Sequence, residues 1–297
     1  MTDFEPGQVW LVGAGPGDPE LLTRKAERLI CAADVVFYDA LVGKGILALI
    51  PDRVRLVCVG KRSGRHSKDQ KSIDTLIVEA ALSGQRVVRL KGGDPSIFGR
   101  ADEELTACRA AAVRVCICPG VTAASAAAAD IGKSLTLRGL ARRLTFVTAH
   151  TKAGQVPDLD WEALADPQAT LAVYMGKASA GHISAGLITA GLPADTPVVL
   201  VENASLPNSR TFRSRLDLLP IAAQTALGDG PAIILIGEAL RESDDALPGG
   251  LAKETTGHSN IDRLLSRSNF ECPRSGSGAR SGRSRNASPL AIHDHDP

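Results

Sequence analysis

At 297 residues the chain is long enough for two ordinary domains, each with its own core. Hydrophobic residues make up 44% and aromatics only 3%, so the packing rests on Ala, Val, Leu and Ile, which suits helices on a parallel sheet and argues against a β-sandwich. A formal net charge of +1 leaves no broad field for nucleic acid or an anionic membrane, so any anionic ligand must be met locally.

The first apolar run, 9–12, falls directly into Gly13-Ala14-Gly15-Pro16-Gly17-Asp18-Pro19. Glycines after a strand let backbone come close to a phosphate or a flat ligand. A dinucleotide fingerprint is excluded, because Gly13-x-Gly15-x-Gly17 has the wrong spacing, contains Pro16 and runs into Asp18-Pro19 rather than a helix. A P-loop is excluded too: the only Gly-Lys-Ser, at 132–134, has Ala127 where its first glycine belongs. By itself the loop is a tight turn between a buried strand and a helix.

Helical spacing over 21–30 follows, then short apolar runs at 34–38, 54–59, 86–90 and 113–118, with a second helical pattern at 73–82. Alternating strand and helix predicts a parallel sheet with right-handed crossovers, and ligands on such sheets lie at the carboxyl ends of the strands. A second series of strands is expected at 144–149, 170–175, 198–202, 211–216 and 232–236. The expected organisation is therefore an N-terminal α/β domain over 1–136, a C-terminal α/β domain over 137–240 and a disordered tail over 241–297, where Ser, Gly and Arg replace apolar periodicity.

The six cysteines, Cys31, Cys58, Cys108, Cys116, Cys118 and Cys272, form no C-x-x-C pair and read as reduced structural thiols of a cytoplasmic protein. No secretory signal is expected at the N-terminus and no apolar run reaches the ~20 residues a membrane-spanning helix needs. The histidines lack ligand spacing, so no metal site is expected.

Four more loops follow first-domain strands: Tyr38-Asp39-Ala40-Leu41-Val42, the stretch from Val59 to Ser67, the stretch from Arg89 to Arg100, and Cys118-Pro119-Gly120-Val121-Thr122-Ala123. In a parallel sheet these ends lie side by side, so glycines, acids and cations should converge on one cleft. The segments VGAGPGDPELLT, YDALV, VGKRSGRHS, RLKGGDPSIFGR, PGVTAA and VYMGK, in this order over residues 8 to 240, resemble the successive motifs of the tetrapyrrole (class III) methyltransferase family, its uroporphyrinogen-III branch in particular.

The resemblance implies two α/β domains of the tetrapyrrole methylase type, S-adenosylmethionine (SAM) in the cleft between them and a homodimer. It implies two C-methylations of uroporphyrinogen III, giving precorrin-2. Pro16 would lie on the cofactor, Gly92, Gly93 and Asp94 would meet its polar end beside Ile97, Thr122 and Ala123 would contribute from the next loop, and Met175 and Ala204 would close over the adenosine. Asp39 would be the proton acceptor and Lys61 the proton donor; read from residues alone, Asp39 is equally a helix cap and Lys61 a solvated cation. The carboxylates of the tetrapyrrole call for arginines, which bind them bidentately. Arg100 is the first candidate, with Glu103 one helical turn on to orient it; Arg138, Arg62, Arg65 and Arg142 are weaker candidates.

The chain departs from the family pattern at Gly132-Lys133-Ser134-Leu135-Thr136-Leu137-Arg138, which lacks the usual proline and histidine, and at Ala204-Ser205, which stands where Gly-Thr is common. Two alternatives therefore accompany the main reading: a methyltransferase for a later precorrin, and a SAM-binding module without turnover. A third, RNA binding through the Arg/Ser tail, ranks last.

Overall fold

The computed structural model describes residues 4–60, 70–149 and 159–242, all of which lie within one compact unit, Met1–Asp245. In chain order the strands are β1 (Val9–Gly13), β2 (Val35–Tyr38), β3 (Arg55–Cys58), β4 (Val87–Lys91), β5 (Val115–Cys118), β6 (Arg143–Thr148), β7 (Ala169–Tyr174), β8 (Pro197–Glu202), β9 (Arg210–Arg215) and β10 (Ala232–Ile236). The helices are α1 (Arg24–Ala32), α2 (Lys44–Ala48), α3 (Gln70–Leu82), α4 (Ala101–Ala110), α5 (Ala123–Asp130), α6 (Trp161–Leu164), α7 (Ala180–Thr189) and α8 (Leu219–Thr225).

The first sheet is wholly parallel, in the order β3-β2-β4-β1-β5. The chain leaving β1 crosses one way to β2, and the chain leaving β4 crosses the other way to β5. Their loops therefore part around a crevice, where an open parallel sheet binds its ligand. Alternation sorts the two faces. Val88 and Leu90 pack with α1, and Val87 packs with α3 and α4.

The second sheet, β6-β7-β10-β8-β9, is mixed: β6 and β7 are parallel, and β10, β8 and β9 pair antiparallel. Its core is again aliphatic, built on Leu171, Val173, Leu187, Leu200 and Ile234. The alanine-rich α5 joins the two layers. Ala124, Ala126 and Ala127 are buried against Ala172, Val199, Val201 and Ile233, and their small side chains bring α5 close to the second sheet.

Local chemistry moves two expected boundaries. The helix expected over 21–30 starts only at Arg24, because the Thr23 hydroxyl accepts the Ala26 N–H at 3.1 Å as an N-cap. Before it, Pro19–Leu21 forms a separate 3-10 turn, capped by Asp18 through the Glu20 N–H at 2.9 Å. The strand expected over 211–216 begins one residue earlier and runs along the outer edge of the second sheet, mostly exposed. No helix among the described residues is long and apolar enough to cross a membrane. The tail from 243 onward lies outside the described residues.

Candidate active site

Three glycines bring the ends of β1, β4 and β5 into backbone contact. A Cβ on Gly120 would stand 2.3 Å from the Gly93 carbonyl oxygen, and one on Gly13 would stand 2.6 Å from the Gly120 nitrogen. No side chain fits at either point. Gly15 and Gly93 exchange hydrogen bonds at 3.1 and 2.7 Å, stitching the two loops together. Gly93 itself sits at φ +67°, with open space where a Cβ would point. Asp94 clamps this floor, one carboxylate oxygen accepting the Gly120 N–H at 3.0 Å and the other the Ser96 N–H at 2.7 Å.

Above the floor lies a cavity of about 910 Å³, closed on the far side by second-sheet residues. Pro16, Gly92, Gly93, Asp94, Ile97, Thr122, Ala123, Met175 and Ala204 all line it, as do Asp39 and Arg100. The glycine backbone, Asp94 and the apolar Pro16, Ile97, Ala123 and Met175 suit SAM, whose carboxylate, ammonium, ribose and adenine need close approach rather than a strong charge. Met175 is no core residue: it stands 47% exposed at φ +56°, directly after β7. Ala204 is buried and has no positive φ, so its methyl group is accommodated without backbone strain.

Strain collects around this cavity. Phe98, Arg100, Met175, Asn203 and Ser205 all adopt positive φ, which non-glycine residues do at a cost of order 1 kcal/mol each or more. Tyr174 links the two layers: its hydroxyl hydrogen-bonds that of Thr122 and accepts the Ala124 N–H at 3.3 Å, and its ring lies 5.0 Å from Phe98 and 5.7 Å from Phe146. Burial pushes its phenol pKa up, which keeps the hydroxyl protonated.

Arg100 reaches back to Glu103 in a fork, Nε to Oε1 at 2.7 Å and Nη2 to Oε2 at 2.6 Å. That hydrogen bond raises the guanidinium pKa further, and the side chain remains half exposed at the cavity edge. Glu103 is not itself on the cavity wall. Arg138 is exposed on the crossing between the layers and outside the lining. Lys61, Arg62 and Arg65 lie outside the described residues.

The sequence reading missed a buried charge cluster. Arg89 and Lys91 alternate on β4, a central strand, and both are 5% exposed. Both meet Glu104 of α4, which is fully buried: Arg89 Nε donates to Oε1 at 2.9 Å, and Lys91 Nζ contacts both oxygens at 3.0 and 2.8 Å. Arg89 Nη2 then reaches Asp39 Oδ2 at 3.2 Å. Burial, and next the nearby Arg89, lower the Lys91 pKa, with Glu104 opposing. The signal was there to read: two cations at i and i+2 on a strand buried on both faces demand a buried anion.

The tetrapyrrole (corrin/porphyrin) methylase family matches residues 8–220. The uroporphyrinogen-III C-methyltransferase of Paracoccus denitrificans is 46% identical over 82% of this chain and 85% of its own length. Its counterpart from Pseudomonas aeruginosa is 50% identical over 80% of this chain and 95% of its length. Among solved structures, the uroporphyrin-III C-methyltransferase of Thermus thermophilus, complexed with S-adenyl homocysteine, superposes with a TM-score of 0.68 at 40% identity, covering 78% of this chain and 98% of the other. Parallel sheet, glycine floor, inter-layer cavity and sequence kinship agree, and the chain belongs to the tetrapyrrole methylase family.

Proposed function

We propose that this chain methylates uroporphyrinogen III twice, at C2 and C7, with SAM as methyl donor, to give precorrin-2 for sirohaem, cobalamin or a related tetrapyrrole. The observation that carries the reading is the cavity of about 910 Å³, whose lining includes both the glycine floor and the half-exposed Arg100. The glycine backbone suits the cofactor, and Arg100 suits a carboxylate of the acceptor.

Bound SAM supplies an electrophilic methyl group on its sulfonium. The chain's own tasks are to align the acceptor, exclude water and move a proton. Pro16, Gly92, Gly93, Asp94, Ile97, Thr122, Ala123, Met175 and Ala204 hold the cofactor. Arg100, oriented by Glu103, fixes a substrate carboxylate, with Arg138 assisting from the crossing. Asp39 accepts the proton that the pyrrole system sheds after methylation. Its Oδ1 accepts the Leu41 N–H at 3.0 Å, an Asx-type turn, and α2 begins later, at the Gly43 cap. Lys61 is the proton donor, a role that rests on the motif alone.

Residues 1–136 and 137–240 act as the two domains of the cleft. A homodimer rests on the family resemblance. The five described cysteines are free, which fits a cytoplasmic location.

The test is anaerobic incubation with enzymatically generated uroporphyrinogen III and SAM, read by mass spectrometry. Two added methyl groups are expected. No methyl transfer with SAM still bound in calorimetry moves the chain to a binding module without turnover; transfer only to a methylated precorrin moves it to a later step.

A further inference from the structure

We propose that Arg89 is the positioning residue that aims the Asp39 carboxylate into the cleft, with buried Glu104 as its anchor. The proposal rests on the assignment of Asp39 as proton acceptor and deepens it.

The Arg89 guanidinium is fixed from three sides. Nε donates to Glu104 Oε1 at 2.9 Å, Nη1 donates to the Leu90 carbonyl at 2.7 Å, and Nη2 donates to Asp39 Oδ2 at 3.2 Å. Pairing across the sheet sets the reach: Phe37 on β2 stands opposite Arg89 on β4, and Asp39 follows β2 directly. A planar group held by Glu104 on one edge therefore presents its other edge to Asp39.

Charge balance makes Asp39 part of the cluster. Arg89, Lys91 and Glu104 alone would place two cations against one anion in the interior. Asp39 supplies the second negative charge, and a cluster so placed must be balanced to be tolerated. The Leu41 N–H takes Oδ1 and Arg89 takes Oδ2, so the carboxylate plane is set in a residue that lines the cavity.

The test is a double-mutant cycle on the full chain, scoring SAM-dependent methylation. Arg89→Lys keeps the charge but cannot bridge two carboxylates in one plane. It should lower kcat roughly tenfold or more and leave both KM values within about twofold. Adding Asp39→Asn should then cost far less than it does alone, because both changes remove the same aimed carboxylate. Effects that multiply, or a raised KM with kcat intact, overturn the proposal. If Arg89→Lys does not fold, Asp39→Ala carries the test: the Arg89 and Leu41 donors remain as a cradle, and added formate should restore part of the turnover. Absence of restoration overturns the proposal. An inactive parent chain, or full turnover by Asp39→Asn, removes the proton-acceptor reading and this proposal with it; an impaired Asp39→Asn whose loss multiplies with that of Arg89→Lys removes only this one.

Discussion

The hydroxyl of Ser205 accepts the backbone N–H of Asp18 at 3.1 Å, joining the loop after β8 to the glycine-rich loop after β1. Ser205 is held in turn, its own N–H donating to Asp130 Oδ2 at 2.8 Å, and Leu206 fills the space a Cβ on Gly17 would need. The second layer thus grips the glycine-rich loop. One hydrogen bond of this kind contributes about 1 kcal/mol, so Ser205→Gly, which relieves the φ of +71° but loses the hydroxyl, should weaken SAM binding about fivefold. Calorimetry with SAM is the measurement. Unchanged affinity would make the Asp18 contact incidental.

The glycine floor gives a sharper contrast. A Cβ on Gly120 meets backbone, the Gly93 oxygen at 2.3 Å and the Gly13 Cα at 2.9 Å, and neither can move aside. Gly120→Ala should abolish SAM binding or folding. Gly84 also has a positive φ, +81°, but an added Cβ there meets nothing within 4 Å. Gly84→Ala should cost only about 1 kcal/mol of backbone strain and leave SAM affinity intact. Thermal melts and SAM titrations on the pair separate close approach from mere conformational preference.

Strand and helix alternation made the first sheet legible, because a parallel sheet covered on both faces writes itself as short apolar runs such as Val35–Tyr38. The antiparallel pairing of β8, β9 and β10 was not legible, since periodicity carries no strand direction. At the site, the roles of the motif glycines and Asp94 came from the family resemblance, whereas Arg89 and Lys91 announced a buried anion without saying which acid supplies it. Glu104 looks like one more acid in the first turn of α4, beside Asp102 and Glu103, and only its register against β4 buries it. Tyr174 was passed over for a similar reason: its hydroxyl finds Thr122 across 52 residues, which no local pattern records.

That buried cluster has a neighbour whose titration can be followed. Cys108 of α4 is 1% exposed, and burial, followed by the charges of Glu104 and Asp74, pushes its thiol pKa up from 9.0 to about 11. The unfolded thiol ionises near its ordinary value while the folded one stays protonated. Its contribution is therefore fully present below pH 9 and lost as the pH rises through about 11, roughly 2–3 kcal/mol at full extent. Cys108→Ala should show a shallower loss of stability between pH 9 and 11 in denaturant melts. An identical slope would mean that the thiol is not protected. Slow alkylation of Cys108 in the native state is a second expectation.

Arg100 stands where the cavity opens, and its geometry separates substrate binding from stability. The pair with Glu103 is half exposed on both sides, and exposed pairs of this kind contribute about 0–1 kcal/mol. Arg100 also holds φ +56°, a strained conformation of the kind that collects at ligand sites. Arg100→Ala should leave the melting temperature within a few degrees and SAM affinity within about twofold, yet raise the tetrapyrrole KM roughly tenfold or more, as expected for losing a forked contact to a carboxylate. Arg100→Lys should recover little of this, because an ammonium cannot present two parallel N–H groups. Equal losses for SAM and tetrapyrrole would instead assign Arg100 to holding the start of α4.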